Sequence, residues 1–141
     1  MPKLTINEAA VNGYTHVWTA DFNDLIAIGN AGQTTIAVVP AGASVELATV
    51  LEKTAFAGTT SLVIDVGTTA GDPDEYINAL DVDAMTVPVS NTGDVFTASQ
   101  SQAVGVAADT PVILEVTDAA IASATAGELV VGLRIADLSQ F

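Results

Sequence analysis

Apolar and polar residues alternate with a period of two along four stretches of the chain, and each predicts a strand with one buried face. In 43–53, Val45, Leu47, Thr49 and Leu51 alternate with Ser44, Glu46, Ala48 and Glu52, which predicts one long half-buried strand broken in pattern only at Val50. Residues 61–67 put Leu62, Ile64 and Val66 on one face and Asp65 on the other. Residues 111–117 set Val112, Leu114 and Val116 against Glu115, and 128–136 set Leu129, Val131, Leu133 and Ile135 against Glu128, Gly132 and Arg134. Shorter runs at 15–20, 24–28, 34–39, 85–89 and 103–106 suit further strands. The breaks carry turn residues: Gly29-Asn30-Ala31-Gly32, Pro40-Ala41-Gly42, Ala57-Gly58 and Asn91-Thr92-Gly93-Asp94. Eight or nine short strands spaced in this way predict an all-β fold, a jelly-roll-like β-sandwich.

One segment reads differently. From Asp72 to Leu80 the sequence places Asp at a helix N-cap, Pro at the first helical position and Glu75 three residues after the cap, with Tyr76, Ile77 and Leu80 on one face. That predicts about two turns of helix laid over a sheet edge or sandwich end. Residues 118–127, rich in Ala and Thr, read as a loop, with a short helix as the alternative. Residues 1–141 form a single domain in this reading, because a chain of this length buries roughly 70% of its unfolded surface in one core. Residues 1–14 read as an extended N-terminal arm, since Leu4 and Ile6 near the start, like Leu138 and Phe141 at the end, are apolar where polar tails are usual. Packing onto the chain's own domain is the alternative.

Charge narrows the function. The chain carries 17 acidic residues against three basic ones, Lys3, Lys53 and Arg134, for a formal net charge of -14. That balance argues against nucleic acid and against anionic membranes as partners. There is no Cys and one His, so thiolate chemistry is excluded and imidazole chemistry falls to His16. The start of the chain lacks the apolar run of a signal peptide, and no stretch reaches the ~18 apolar residues of a membrane helix. Mean hydropathy is nonetheless +0.49. Strands apolar on most positions need a second cover, which points to a homo-oligomer, a trimer or dimer, or to contact within a lattice. An ordinary sandwich with many buried Val and Ala is the plain alternative.

Candidate chemistry is sparse. Asp72, Asp74, Asp81 and Asp83, with Asp65 and Glu75, form an acid-rich span whose oxygens suit Ca²⁺, although the spacing matches no EF-hand loop and helix capping accounts for several of them. No other cofactor is expected. Asp81 and Asp83 are also the pair that acid/base hydrolysis of a glycoside would use. His16 and Trp18 share strand parity, which suits a carbohydrate platform in a lectin-like module; a core Trp beside a partly exposed His is the alternative. No G-x-S-x-G elbow surrounds any serine, and no phosphate-binding loop is present, so the chain is expected not to be an enzyme.

The middle of the chain, 34–83, resembles small structural proteins of tailed bacteriophages. The likeness rests on Ile36-Ala37-Val38-Val39-Pro40-Ala41-Gly42-Ala43, Thr54-Ala55-Phe56-Ala57-Gly58-Thr59-Thr60, Leu62-Val63-Ile64-Asp65-Val66-Gly67 and Gly71-Asp72-Pro73-Asp74-Glu75-Tyr76, with Gly127-Glu128-Leu129-Val130-Val131 near the end. Residues 1–32 lie outside it. The resemblance implies a virion component, a decoration or cement protein of the outer capsid surface, with the major capsid protein as partner. A tail or fibre component is a variant of the same expectation. Trp18, Phe22, Phe56 and Phe141 are then candidate interface anchors, because large aromatics dominate interface energies.

Overall fold

A computed structural model describes residues 13–97 and 106–137. Its strands are β1 (His16–Asp21), β2 (Gly32–Val39), β3 (Ala43–Ala57), β4 (Val63–Gly67), β5 (Ile77–Asp81), β6 (Val89–Ser90), β7 (Thr110–Thr117) and β8 (Ala126–Asp137). Two short α-helices, α1 (Phe22–Ile28) and α2 (Asp94–Thr97), and 3₁₀ turns at Val82–Ala84 and Ile121–Ser123 complete the described elements. The strands form two antiparallel four-stranded sheets, ordered β1-β8-β3-β6 and β2-β7-β4-β5. Partners run β1 with β8, β2 with β7, β3 with β6 and β4 with β5, as in one long antiparallel ribbon rolled across two sheets. This is the jelly-roll arrangement, and the all-β sandwich expected from the alternation is what forms.

Alternation builds the core. Val112, Leu114 and Val116 of β7 face Leu129, Val131 and Leu133 of β8 across the sandwich, each with at most 1% of its surface exposed. Fully burying side chains of this size contributes roughly 1.5–3 kcal/mol each. Trp18 and Ala20 of β1, Val50 of β3 and Ile64 and Val66 of β4 complete the same cluster. At one end α1 inserts Leu25, fully buried, against β1, β2, β8 and the 3₁₀ turn at Ile121.

Three expectations need correction. No helix spans Asp72 to Leu80: Ile77 to Asp81 is β5, and the preceding residues are irregular and already paired. Tyr76 N donates to Val66 O at 2.9 Å, while Gly93 N and Val95 N donate to the carbonyls of Tyr76 and Glu75 at 2.8 and 3.0 Å. Those tertiary bonds outweigh a local capping pattern, and Glu75, instead of closing a capping box, accepts from Thr68 N, Thr69 N and Thr69 Oγ1. The run at 24–28 is helix α1, not strand. Asp21 Oδ1 accepts from Asp24 N at 3.0 Å and Asp24 Oδ2 accepts from Asp21 N at 3.1 Å, a capping box that starts the helix, and Gly29 ends it at φ 83°. The strand expected at 85–89 shrinks to the two residues of β6. The loop at 118–127 holds one 3₁₀ turn, Ile121–Ser123. Of the strand expected at 103–106, Val106 is described and pairs with Gly42 and Ala43; 103–105 lie outside the described residues, as do residues 1–12 of the arm, Leu138 and Phe141.

A fourth correction concerns which way β3 faces. The pairing with β8 slips between Val45 and Leu47, leaving Glu46 as the extra residue of a bulge. One inserted residue inverts the alternation beyond it. Val45 is buried, and after the bulge Ala48 and Val50 are the inward residues. Leu47, Thr49 and Leu51, which the unbroken pattern grouped with Val45, point outward.

Candidate interaction face

The β3 bulge and the composition of β8 together make the outer surface of the β1-β8-β3-β6 sheet apolar. Cross-strand partners share a face, and the registers are Val17 with Gly132 with Thr49, and Thr19 with Val130 with Leu51. These two central rows contain no carboxylate. They line a shallow groove of about 290 Å³ bounded by Tyr14, Val17, Thr49, Leu51, Pro88, Val130 and Gly132. The Tyr14 ring lies over Gly132, where a Cβ would come within 2.8 Å of it. Thr15 fixes that ring's position, since its N–H donates to Leu133 O at 2.9 Å and its Oγ1 accepts from Ile135 N at 2.8 Å. Thr49, nearly buried, satisfies its hydroxyl with Ser90 Oγ at 2.7 Å. A second recess adjoins the groove through Leu51 and Pro88 and is bordered by Met85 and Val87, the latter 64% exposed.

The charges of the β1 and β8 rows stand at the two ends of this face, and Glu52 lines the adjoining recess. At one end Asp21 is in register with Glu128, whose carboxylate pairs with Lys53 at 3.4 Å, both groups well exposed. At the other end Arg134 stands in register with Leu47, exposed and without an ion pair among the described residues. The opposite sheet is dressed differently. Its outer surface carries Gln33 bonded to Glu115 at 2.7 Å, and Asp65, which accepts from Ala79 N at 2.6 Å. Burial, together with the nearby charges of Glu115 and Asp72, raises the Asp65 carboxyl above the usual range against that hydrogen bond. The two outer surfaces therefore differ at their centres, the first free of carboxylates across two rows and the second carrying Glu115 in register with Asp65.

The candidate residues read from the sequence do not converge. Trp18 is buried in the core, 7% exposed, so it offers neither a sugar platform nor an interface anchor. His16 is exposed at the start of β1 with Nδ1 2.9 Å from Thr15 Oγ1, and partial desolvation lowers its pKa. Phe22 and Phe56 pack partly buried against the core, Phe56 with its ring over Gly127. Phe141 lies outside the described residues. The acids divide into two pairs at opposite ends of β5. Asp72 and Asp74 sit in the loop before it, where burial and then the charges of Asp72, Asp94 and Glu75 raise the Asp74 carboxyl. Asp83 follows β5 and is engaged at the other end, accepting from Leu62 N at 2.9 Å and from Thr59 Oγ1; Asp81 beside it is exposed. Among the described residues no three His, Asp or Glu side chains are grouped to hold a metal ion.

The residues that do converge, Tyr14, Val17, Leu51, Pro88 and Val130, were not singled out from the sequence. A signal existed: Val130 and Gly132 occupy outward positions of β8, where a solvated strand carries polar side chains.

No protein-family model matches the chain, and no curated protein matches it. Among solved structures, the chain is similar to a chain of the cyanophage Pam1 capsid asymmetric unit, with a TM-score of 0.58 and 20% identity over 84% of this chain and 79% of that one. A chain of the acidic stable capsid structure of Helicobacter pylori bacteriophage KHP30 aligns with a TM-score of 0.49 and 16% identity over 88% of this chain and 95% of that one. At these identities the likeness is one of fold.

Proposed function

We propose that the protein is a non-enzymatic structural component of a bacteriophage virion, a decoration or cement protein that binds the head lattice in multiple copies. The observation that carries this reading is the match to the Pam1 capsid chain across most of both chains, which likens this protein to a whole small capsid component rather than to one domain of a large one. The two-sided sandwich supports it. An apolar surface serves adhesion, while acids on the opposite sheet and around the loops suit a position on the outer surface of the capsid, away from packaged DNA. The major capsid protein is the partner in this reading.

Adhesion of this kind stabilises by mass action, because a ligand that binds only the intact shell draws the equilibrium away from the ruptured one. Particles assembled without this protein should form and then burst at lower temperature than complete particles, read by release of DNA to an intercalating dye. Unchanged rupture temperature would sink the cement role. Quantitative mass spectrometry of purified particles separates a head component, at a stoichiometry comparable to the capsid subunit, from a tail or fibre component present in far fewer copies.

A further inference from the structure

Gly13, at φ 83°, turns the chain as it enters the fold, and Tyr14 next to it lines the groove on the outer face of the β1-β8-β3-β6 sheet. The twelve residues before Gly13 therefore join the fold beside that groove. Within them Leu4 and Ile6 alternate with Lys3, Thr5 and Asn7, so an extended course sets the two apolar side chains on one side and the polar ones on the other. Val11 adds a third apolar side chain nearer the entry. We propose that this segment, residues 1–12, docks on the face of its own chain, with Val11 in the groove beyond Tyr14, and with Ile6 and Leu4 against Leu51, Pro88 and Val87 where the groove meets the recess.

Reach permits this docking. Ile6 lies eight residues before Tyr14, up to roughly 26 Å of extended chain, while four strands spaced about 4.8 Å apart make a sheet about 14 Å across. The Tyr14 ring, already over Gly132, forms one wall of the seat and stays where it is. Charge permits it too. The ionic side chains of the segment are Lys3 and Glu8, which cancel within a chain of formal net charge -14, and the carboxylate that lines the recess is Glu52, a match for Lys3. Attachment selects this occupant over a second copy, because a short flexible tether holds a segment at an effective concentration in the millimolar range, roughly a hundredfold above a protein at about 10 μM. The virion reading gives the same face to the lattice, so the shell displaces the segment on binding, and until then the segment keeps the apolar rows from water.

The docking concerns the isolated protein in solution and is tested there, apart from any lattice. The chain has no Cys, so Leu51→Cys places a single thiol in the groove and Val87→Cys one in the recess. In the full chain, the rate at which a maleimide labels either thiol should rise roughly tenfold or more when Leu4→Asp and Ile6→Asp are added, as when a protecting contact opens. Val38→Cys, exposed on the other sheet, should be labelled at one rate with or without them. Protection should hold unchanged from about 1 to 100 μM protein, the mark of a contact within one chain. Circular dichroism verifies that each variant folds, and either thiol suffices should the other variant fail to fold. Labelling rates that the two aspartates leave unchanged would overturn the proposal. Protection that develops only as protein concentration rises would overturn it as well, by assigning the segment to a second copy.

Discussion

Among the described residues Asp118 is the one charged side chain that is buried. It is 3% exposed, and its carboxylate accepts from Thr60 N at 3.0 Å and from Ala120 N at 2.9 Å. Its own N–H donates to Asn30 Oδ1 at 3.0 Å, so one residue ties together the loops before β2, before β4 and before β8. Truncation takes the acceptor from the exposed Thr60 N–H, which water can replace, and from the half-buried Ala120 N–H, whose loss costs about 1–3 kcal/mol. Asp118→Ala should therefore destabilise the fold by roughly 1–3 kcal/mol, read as a lower urea midpoint with an unchanged slope. Such roles were hard to see in the sequence. An acid that satisfies distant backbone groups looks, in one dimension, like an acid in solvent, and Asp83 and Glu75 were obscured for the same reason. Trp18 illustrates the converse: its parity with His16 was read correctly, but Trp18 lies under the second sheet while His16 lies at the strand's exposed beginning.

At the scale of elements, β2, β4, β7 and β8 were legible because their alternation is unbroken or their apolar side chains are β-branched. β5 and α1 were exchanged, one read as helix and the other as strand, and both errors have one cause. A five- or seven-residue segment is too short for periodicity to decide, so the outcome rests on hydrogen bonds to other segments. α1 holds through its capping box and through Leu25, and the two contributions differ in size. Asp21→Ala should cost about 1 kcal/mol, the usual worth of an N-cap, whereas Leu25→Ala should cost roughly 2–5 kcal/mol because it opens a cavity between α1 and both sheets. Equal losses in chemical denaturation would mean that the helix is held by its cap alone. The β3 bulge is the other element-scale lesson. The hydrophobic pattern identified the strand, but a single unpaired Glu46 decides that Leu47 and Leu51 face outward, and no pattern of residue types announces a bulge. The β3 half of the candidate face was illegible for that reason.

For the molecule as a whole, charge sets the response to pH. Asp65 and Asp74 bind protons more tightly folded than unfolded, so their contribution grows as pH falls through their raised values and is complete below the ordinary carboxylate range near 3.8. Glu75 acts in the opposite sense. Burial alone would raise it, but bonds from Thr69 Oγ1 and from the Thr68 and Thr69 N–H groups hold it low, and the stability it supplies is lost as pH falls below 4.5. Calorimetry should thus show the melting temperature rising as pH falls from 7 into the carboxylate range, where loss of the Glu75 contribution below 4.5 opposes the rise. Asp65→Asn should flatten the rise; a melting temperature that falls steadily from pH 7 would contradict it. The rolled topology governs time as well as stability. β8 is the shared neighbour of β1 and β3, so the sheet bearing the apolar face has no centre until the last described strand has left the ribosome. Until then the outward Leu47 and Leu51 and the inward Ala48 and Val50 are equally uncovered, and β1 must wait more than a hundred residues for its partner. Closing so long a loop makes the pairing of this sheet late and slow. A nascent chain in that interval is an acidic one, and its mutual repulsion keeps neighbouring copies on the same messenger apart while each waits to close.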